Sequence, residues 1–187
     1  MILLDKRIYP TALSRGVDTL TIVGIYHGTL FYDTDVTSTA SPLISCSDDT
    51  KVFYIPTDDG ILTIGIAGDL LLANQIKDAC SSHKSLNHID MISFISDTVF
   101  DNKSLAGGEL MIITPNNVVY AVDYSGAYFQ VIEPIHVIGQ FSSYALGVLH
   151  CMESKDTNRS GLLDALDIIK SRCCYRNITT IKGWNPK

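Results

Sequence analysis

From residue 19 onward, apolar and β-branched residues fall into short dense runs, whereas residues 1–18 show no sustained period and read as an extended arm. Residues 19–26 and 29–34 carry the β-branched and aromatic side chains that suit a pleated, buried surface, and His27-Gly28 between them predicts a tight turn. Residues 35–50 are rich in Ser, Thr and Asp, whose side chains compete with ladder hydrogen bonds, and predict a loop. A second strand pair follows at 51–55 and 61–67, turning at Thr57-Asp58-Asp59-Gly60.

The period then changes. Leu72, Gln75, Ile76 and Ala79 recur at helical spacing over residues 70–80, opened by Gly68-Asp69. Ile92, Ile95 and Val99 form one stripe over 91–100, with Asp90 as the expected cap. Gly107-Gly108 ends the helical region. Residues 109–114 and 118–123 read as strands joined by Pro115-Asn116-Asn117, and 127–132 and 136–138 continue the sheet material. A third helix is expected over 142–152. A fourth covers 161–172, capped by Ser160 and carrying the stripe Leu162, Leu163, Leu166 and Ile169; residues 178–181 give a last short strand.

Blocks of strands thus alternate with pairs of helices. That order excludes a doubly wound βαβ sheet and predicts an α+β fold: a four-layer αββα sandwich of two antiparallel sheets flanked by helix pairs. No repeat or linker divides the chain, so the expected organisation is a leader or arm at 1–18 and a single domain at 19–187.

Composition narrows the function classes. With 46% hydrophobic and 18% charged residues the chain is expected to fold rather than stay disordered. A net charge of -6 argues against a nucleic-acid partner, which needs a basic face. No apolar run reaches the roughly 18 residues of a membrane span, so no membrane partner is expected. Met1-Ile2-Leu3-Leu4 gives way too soon to Asp5, Lys6 and Arg7 to read as a signal peptide, so a cytoplasmic protein is expected. The cysteines (Cys46, Cys80, Cys151, Cys173 and Cys174) are odd in number and two are adjacent, which predicts reduced, buried thiols. No His/Cys cluster has metal spacing and the five histidines are scattered, so neither metal nor cofactor is expected. His136, in an apolar run, reads as structural. Cys46 precedes Lys51 in the polar loop, where a cation would favour its thiolate, but no histidine pairs with it by spacing.

Thr19, Asp35 and Lys51 carry a more specific chemistry. A threonine hydroxyl needs a base, and a free α-amine, with an ordinary pKa of about 7.7–8.0, serves near neutral pH. A lysine ammonium favours the neutral amine, a carboxylate can hold the lysine, and backbone N–H groups at a glycine-rich strand end can bind an oxyanion.

Six pieces occur in one familiar order: Leu20-Thr21-Ile22-Val23-Gly24-Ile25, Asp35-Val36-Thr37-Ser38-Thr39, Lys51-Val52, Thr63-Ile64-Gly65-Ile66-Ala67-Gly68-Asp69, Val137-Ile138-Gly139 and Ala165-Leu166-Asp167-Ile168. On these pieces the chain resembles the proteasome β-subunits over residues 19–182, and in pattern it is similar to the bacterial HslV peptidase and the archaeal β-subunit. Asp35 lies sixteen residues and Lys51 thirty-two residues after Thr19, the family's spacing from its nucleophile. Matching the family's Thr-Thr-x-Val-Gly to Ile22-Val23-Gly24 instead puts Leu20 at that place, and a shift of one residue turns a strand side chain to the other face. Asp18 stands before Thr19 where the family cuts its leader after glycine, with Gly16 three positions from Thr19. Gly139-Gln140-Phe141 stands for a Gly-Ser-Gly segment, and about Ser171 for an aspartate of the fourth helix.

The resemblance implies two functional readings. One is a non-catalytic, self-assembling structural or ring component of a large complex, a virus particle included. The other is an N-terminal threonine endopeptidase working in a ring chamber once residues 1–18 are removed. In that reading Thr19 is the nucleophile and its amine the base, Lys51 tunes the amine, Asp35 orients Lys51, and the Ala67 N–H binds the oxyanion. The partners implied are further copies in a homo-oligomeric ring of six or seven members, together with an ATP-dependent unfoldase or a larger assembly.

Overall fold

A computed structural model describes residues 19–20, 22–27, 29–33, 37–38, 52–83, 85–102, 107–139, 141–153, 159–173 and 178–181. Among them, β2 (Ile22–Tyr26) and β3 (Thr29–Asp33) form a hairpin that turns at His27, whose φ is 43°. β10 (Ile135–Gly139) flanks β2 and β11 (Ile178–Ile181) flanks β3, giving an antiparallel sheet of order β10-β2-β3-β11. A second antiparallel sheet follows the chain: β5 (Val52–Thr57), β6 (Gly60–Gly68), β7 (Gly108–Ile113), β8 (Val119–Val122) and β9 (Tyr128–Val131). Helices α1 (Leu70–Ser81) and α2 (His88–Asn102) are inserted between β6 and β7. Helices α3 (Ser142–Glu153) and α4 (Arg159–Cys173) follow β10.

Three apolar layers hold these elements as an αββα sandwich. Side chains alternate across a strand, so one face of each sheet meets the other sheet and one meets helices. Val23, Ile25 and Leu30 meet Ala67, Met111, Ile113 and Ala121 between the sheets. Ile22, Tyr26 and Phe31 meet Ala145 and Leu149 of α3 and Leu162, Leu166 and Ile169 of α4. Phe53, Leu62, Ile64 and Leu110 meet Leu72 and Ile76 of α1 and Met91, Ile95 and Val99 of α2. This explains why β2 reads as a continuous apolar run: all five of its residues are buried. Each fully buried Ile, Leu or Phe contributes about 1.5–3 kcal/mol.

The expected order of elements holds, with four local corrections. The predicted strand over 19–26 is two strands: β1 (Thr19–Leu20) pairs with β4 (Thr37–Ser38), while β2 pairs with β10 and β3. The expected loop at 35–50 therefore contains a strand. Helix α2 starts at His88, and its cap is Asn87: Asn87 Oδ1 accepts from the Asp90 N–H (3.0 Å) and Asn87 Nδ2 donates to Asp90 Oδ2 (2.8 Å). Asp90 sits in the first turn, where a carboxylate suits the helix dipole. Helix α4 begins at Arg159, so Ser160 lies inside its first turn. Gly68-Asp69 opens α1 as expected, and Asp69 proves to be its cap: its carboxylate accepts from the Leu71 N–H at 2.8 Å.

Asp59, on the β5–β6 hairpin tip, fastens that hairpin to α2. It accepts from the His88 N–H (2.9 Å) and the Thr57 hydroxyl (3.0 Å) and pairs with the His88 ring. The His88 hydrogen bond holds the Asp59 carboxyl below its ordinary range. A depressed carboxylate stabilises the fold fully above its unfolded pKa, about 3.9, and the effect is lost as pH falls through the folded value. Asp59→Asn is therefore expected to lower the denaturant midpoint at pH 6, with wild type and variant converging below about pH 4. A gap of equal width at both pH values would remove this role.

Candidate functional site

Four strand ends meet at one end of the sandwich. β2 begins at Ile22, opposite Gly139 at the end of β10. β6 ends at Ala67 and Gly68, opposite Glu109 and Gly108 at the start of β7. β1, which carries Thr19, lies against β6. Val52, the residue after Lys51, pairs with Gly65 of β6, and Val23 lies directly over Gly65: a Cβ there would come within 2.5 Å of Val23 Cγ1. The backbone of Thr19 is thus in the same sandwich end as Ala67. Asp35, Lys51 and Cys46 lie outside the described residues.

Glu109 ties these ends together, and sequence reading missed it. It stands across the β6–β7 ladder from Ala67, and its Oε2 accepts from the Gly139 N–H at 2.9 Å, so one carboxylate from the five-stranded sheet grips the last strand residue of the other. The available signal was an acid opening an otherwise apolar strand, Gly108-Glu109-Leu110-Met111-Ile112-Ile113. Alternation places Glu109 on the side of Met111 and Ile113, between the sheets. His136 lies nearby on β10. Burial lowers its pKa, and the negative charges of Glu133 and Glu109 oppose that shift. Beyond Gly139 (φ 100°), Phe141 adopts a φ of 62°, a conformation strained for a bulky side chain.

The strand ends also fix which amides face outward. Asp69 N donates to Gly107 O at 2.9 Å. In an antiparallel ladder, hydrogen-bonded pairs alternate with non-bonded ones, so the Ala67–Glu109 pair is of the bonded kind. The Ala67 N–H is therefore directed at β7, and the Gly68 N–H away from it.

Elsewhere, an apolar groove of about 450 Å³ runs over α3 and α4, lined by Tyr144, Gly147, Val148, Cys151 and Ile168 among others; it contains no predicted site residue. Cys80 is buried, which pushes its thiol up to about 12 and makes it inert, as expected of a core thiol; Cys151, on α3, is exposed, against the expectation of buried thiols. Among the described residues no group of three His, Cys, Asp or Glu could hold a metal ion, and no helix is long and apolar enough to cross a membrane.

The layers, sheet topology and helix pairs are those of the proteasome-type sandwich of N-terminal nucleophile hydrolases. No protein-family model matches the sequence, and no curated protein matches it. Solved structures share the fold. A Gly-1 mutant of Anbu from Hyphomicrobium sp. strain MC1 aligns with a TM-score of 0.63 at 12% identity, over 84% of this chain and 78% of that one. Anbu from Yersinia bercovieri, described as an ancestral beta-subunit, gives 0.59 at 14% over 86% and 81%. Eukaryotic HslV from Trypanosoma brucei gives 0.59 at 16% over 87% and 99%. At these identities the likeness is one of fold.

Proposed function

We propose that this chain is a proteasome-type subunit that keeps the fold and its capacity for self-assembly without hydrolysing peptides. It would act as a ring or structural component of a larger cytoplasmic complex, a virus particle among the candidates. Residues 1–18 would stay attached as an arm on the domain at 19–187.

The observation that supports this reading most is Glu109. Peptide hydrolysis through a threonine ester requires negative charge to develop on the substrate oxygen, and preorganised donors must meet it. At this sandwich end a carboxylate, that of Glu109, occupies the gap between the sheets beside Ala67, where it would repel such charge. Asp18 before Thr19 and the sequence Gly139-Gln140-Phe141 point the same way.

The second reading, a threonine peptidase using Thr19, Asp35 and Lys51, is favoured by the sixteen- and thirty-two-residue spacings and by β1 lying against β6. N-terminal sequencing of the native protein, with fluorogenic peptide assays, separates the two. The expected result is a chain that still carries residues preceding Thr19 and turns over no peptide. A mature chain beginning at Thr19, with activity abolished by Thr19→Ala, would establish the peptidase instead.

A further inference from the structure

We infer that the free edge at β9 docks head-to-tail against the β5–β6 corner of a second copy of this chain. β9 pairs only with β8 among the described strands, so its outer backbone groups face outward. Exposed edges in stable monomers are usually blunted by charge, proline or a bulge. This one is not: residues 128–132 read Tyr-Phe-Gln-Val-Ile, with no charge before Glu133. Tyr124 (69% exposed), Tyr128, Phe129 (51%) and Ile132 (81%) stand out from it. Whole aromatic side chains bury about 150–250 Å². On that scale the exposed parts of these four come to roughly 500 Å², against the approximately 800 Å² per partner of a stable interface. Tyr128 and Phe129 lie on opposite faces of this edge, Tyr128 toward Ser93 and Tyr120 and Phe129 toward His136, so a partner that wraps the edge meets both.

The occupant is a second copy because the same sheet carries a different apolar patch at its opposite edge. Tyr54 (61%) and Ile61 (59%) are exposed on β5 and β6. Alternation places both on the face that Gly65 and Ala67 share, where the other sheet no longer covers them. A ring closes through two unlike surfaces on opposite sides of one subunit, whereas a two-fold dimer needs a single self-complementary patch. The inference rests on the ring reading above and names the contact that would close such a ring.

Light scattering on gel-filtered protein, with far-UV circular dichroism to confirm folding, tests it. Exposed positions tolerate substitution with little loss of stability. The wild type is expected to run as a multimer. Phe129→Glu, Ile132→Glu and Ile61→Lys are each expected to reduce it to folded monomer, and Phe129→Glu combined with Ile61→Lys to reassemble. A monomeric wild type would overturn the ring reading together with the contact. An assembled wild type whose Phe129→Glu and Ile132→Glu variants keep its mass would overturn the contact alone. Rescue of Phe129→Glu by mixing with Phe129→Lys, but not by Ile61→Lys, would replace head-to-tail docking with a two-fold edge.

Discussion

Gly68→Ala is expected to destabilise the fold by about 3 kcal/mol, seen as a lower denaturant midpoint and a melting temperature about 10 °C lower. Gly68 ends β6 with a φ of 151°, a region that L side chains rarely adopt. An added Cβ would come within 2.4 Å of Gly107 O and 2.5 Å of Gly108 Cα. Both contacts are backbone, so no rotamer change relieves them, and β7 would have to move away from β6. That movement would carry Glu109 with it and loosen its bond to the Gly139 N–H. A variant of unchanged midpoint would show that the two strands are not held this closely.

The second large effect concerns Phe31 and Gly24, opposed across β2 and β3. The Phe31 ring lies flat on Gly24, where a Cβ would come within 2.2 Å of Cζ, and the ring is fully buried beneath the α3–α4 layer. Phe31→Ala should cost about 3–5 kcal/mol, because the cavity borders two sheet strands and a helix pair that cannot collapse into it. Gly24→Ala should also destabilise, but for the opposite reason, overpacking. The two are coupled: in a Phe31→Leu background the cost of Gly24→Ala should fall, with an interaction term of about 1–3 kcal/mol. Strict additivity in a double-mutant cycle would mean that the ring does not rest on the glycine.

The sandwich was legible because its signals are local. Strand runs such as 61–67 and stripes such as Ile92, Ile95 and Val99 each announce an element within a few residues. What sequence could not show was set at long range or by competition. The stretch 19–26 splits because its first two residues pair with Thr37–Ser38 and the rest with β10, a choice made by partners far along the chain. Asn87 displaced Asp90 as a cap although both residue types cap well, and Asp59, docked on His88 from a distant hairpin, holds the helix start in that register. Glu109 was invisible because its partner, Gly139, lies thirty residues away on the other sheet. Of the candidate site, the structure brings the Thr19 strand and Ala67 together at one end of the sandwich. The Ala67 amide faces β7 there, and Glu109, which spacing alone did not announce, stands across the ladder from it.

The strand order β10-β2-β3-β11 has a consequence for how the chain is made. The five-stranded sheet is a meander, each strand pairing with the one before it, so it is complete once residue 131 has been synthesised. The β2–β3 hairpin has no such neighbour. Apolar on both faces, it waits for residues 135–139 and 178–181 before its sheet can close. Sequence-distant pairing of this kind is slow, and a hairpin left open that long is a target for aggregation. During synthesis on the ribosome, β2 and β3 thus emerge before the meander but are sheltered after it. Chaperone demand should fall on residues 19–33 rather than on the meander.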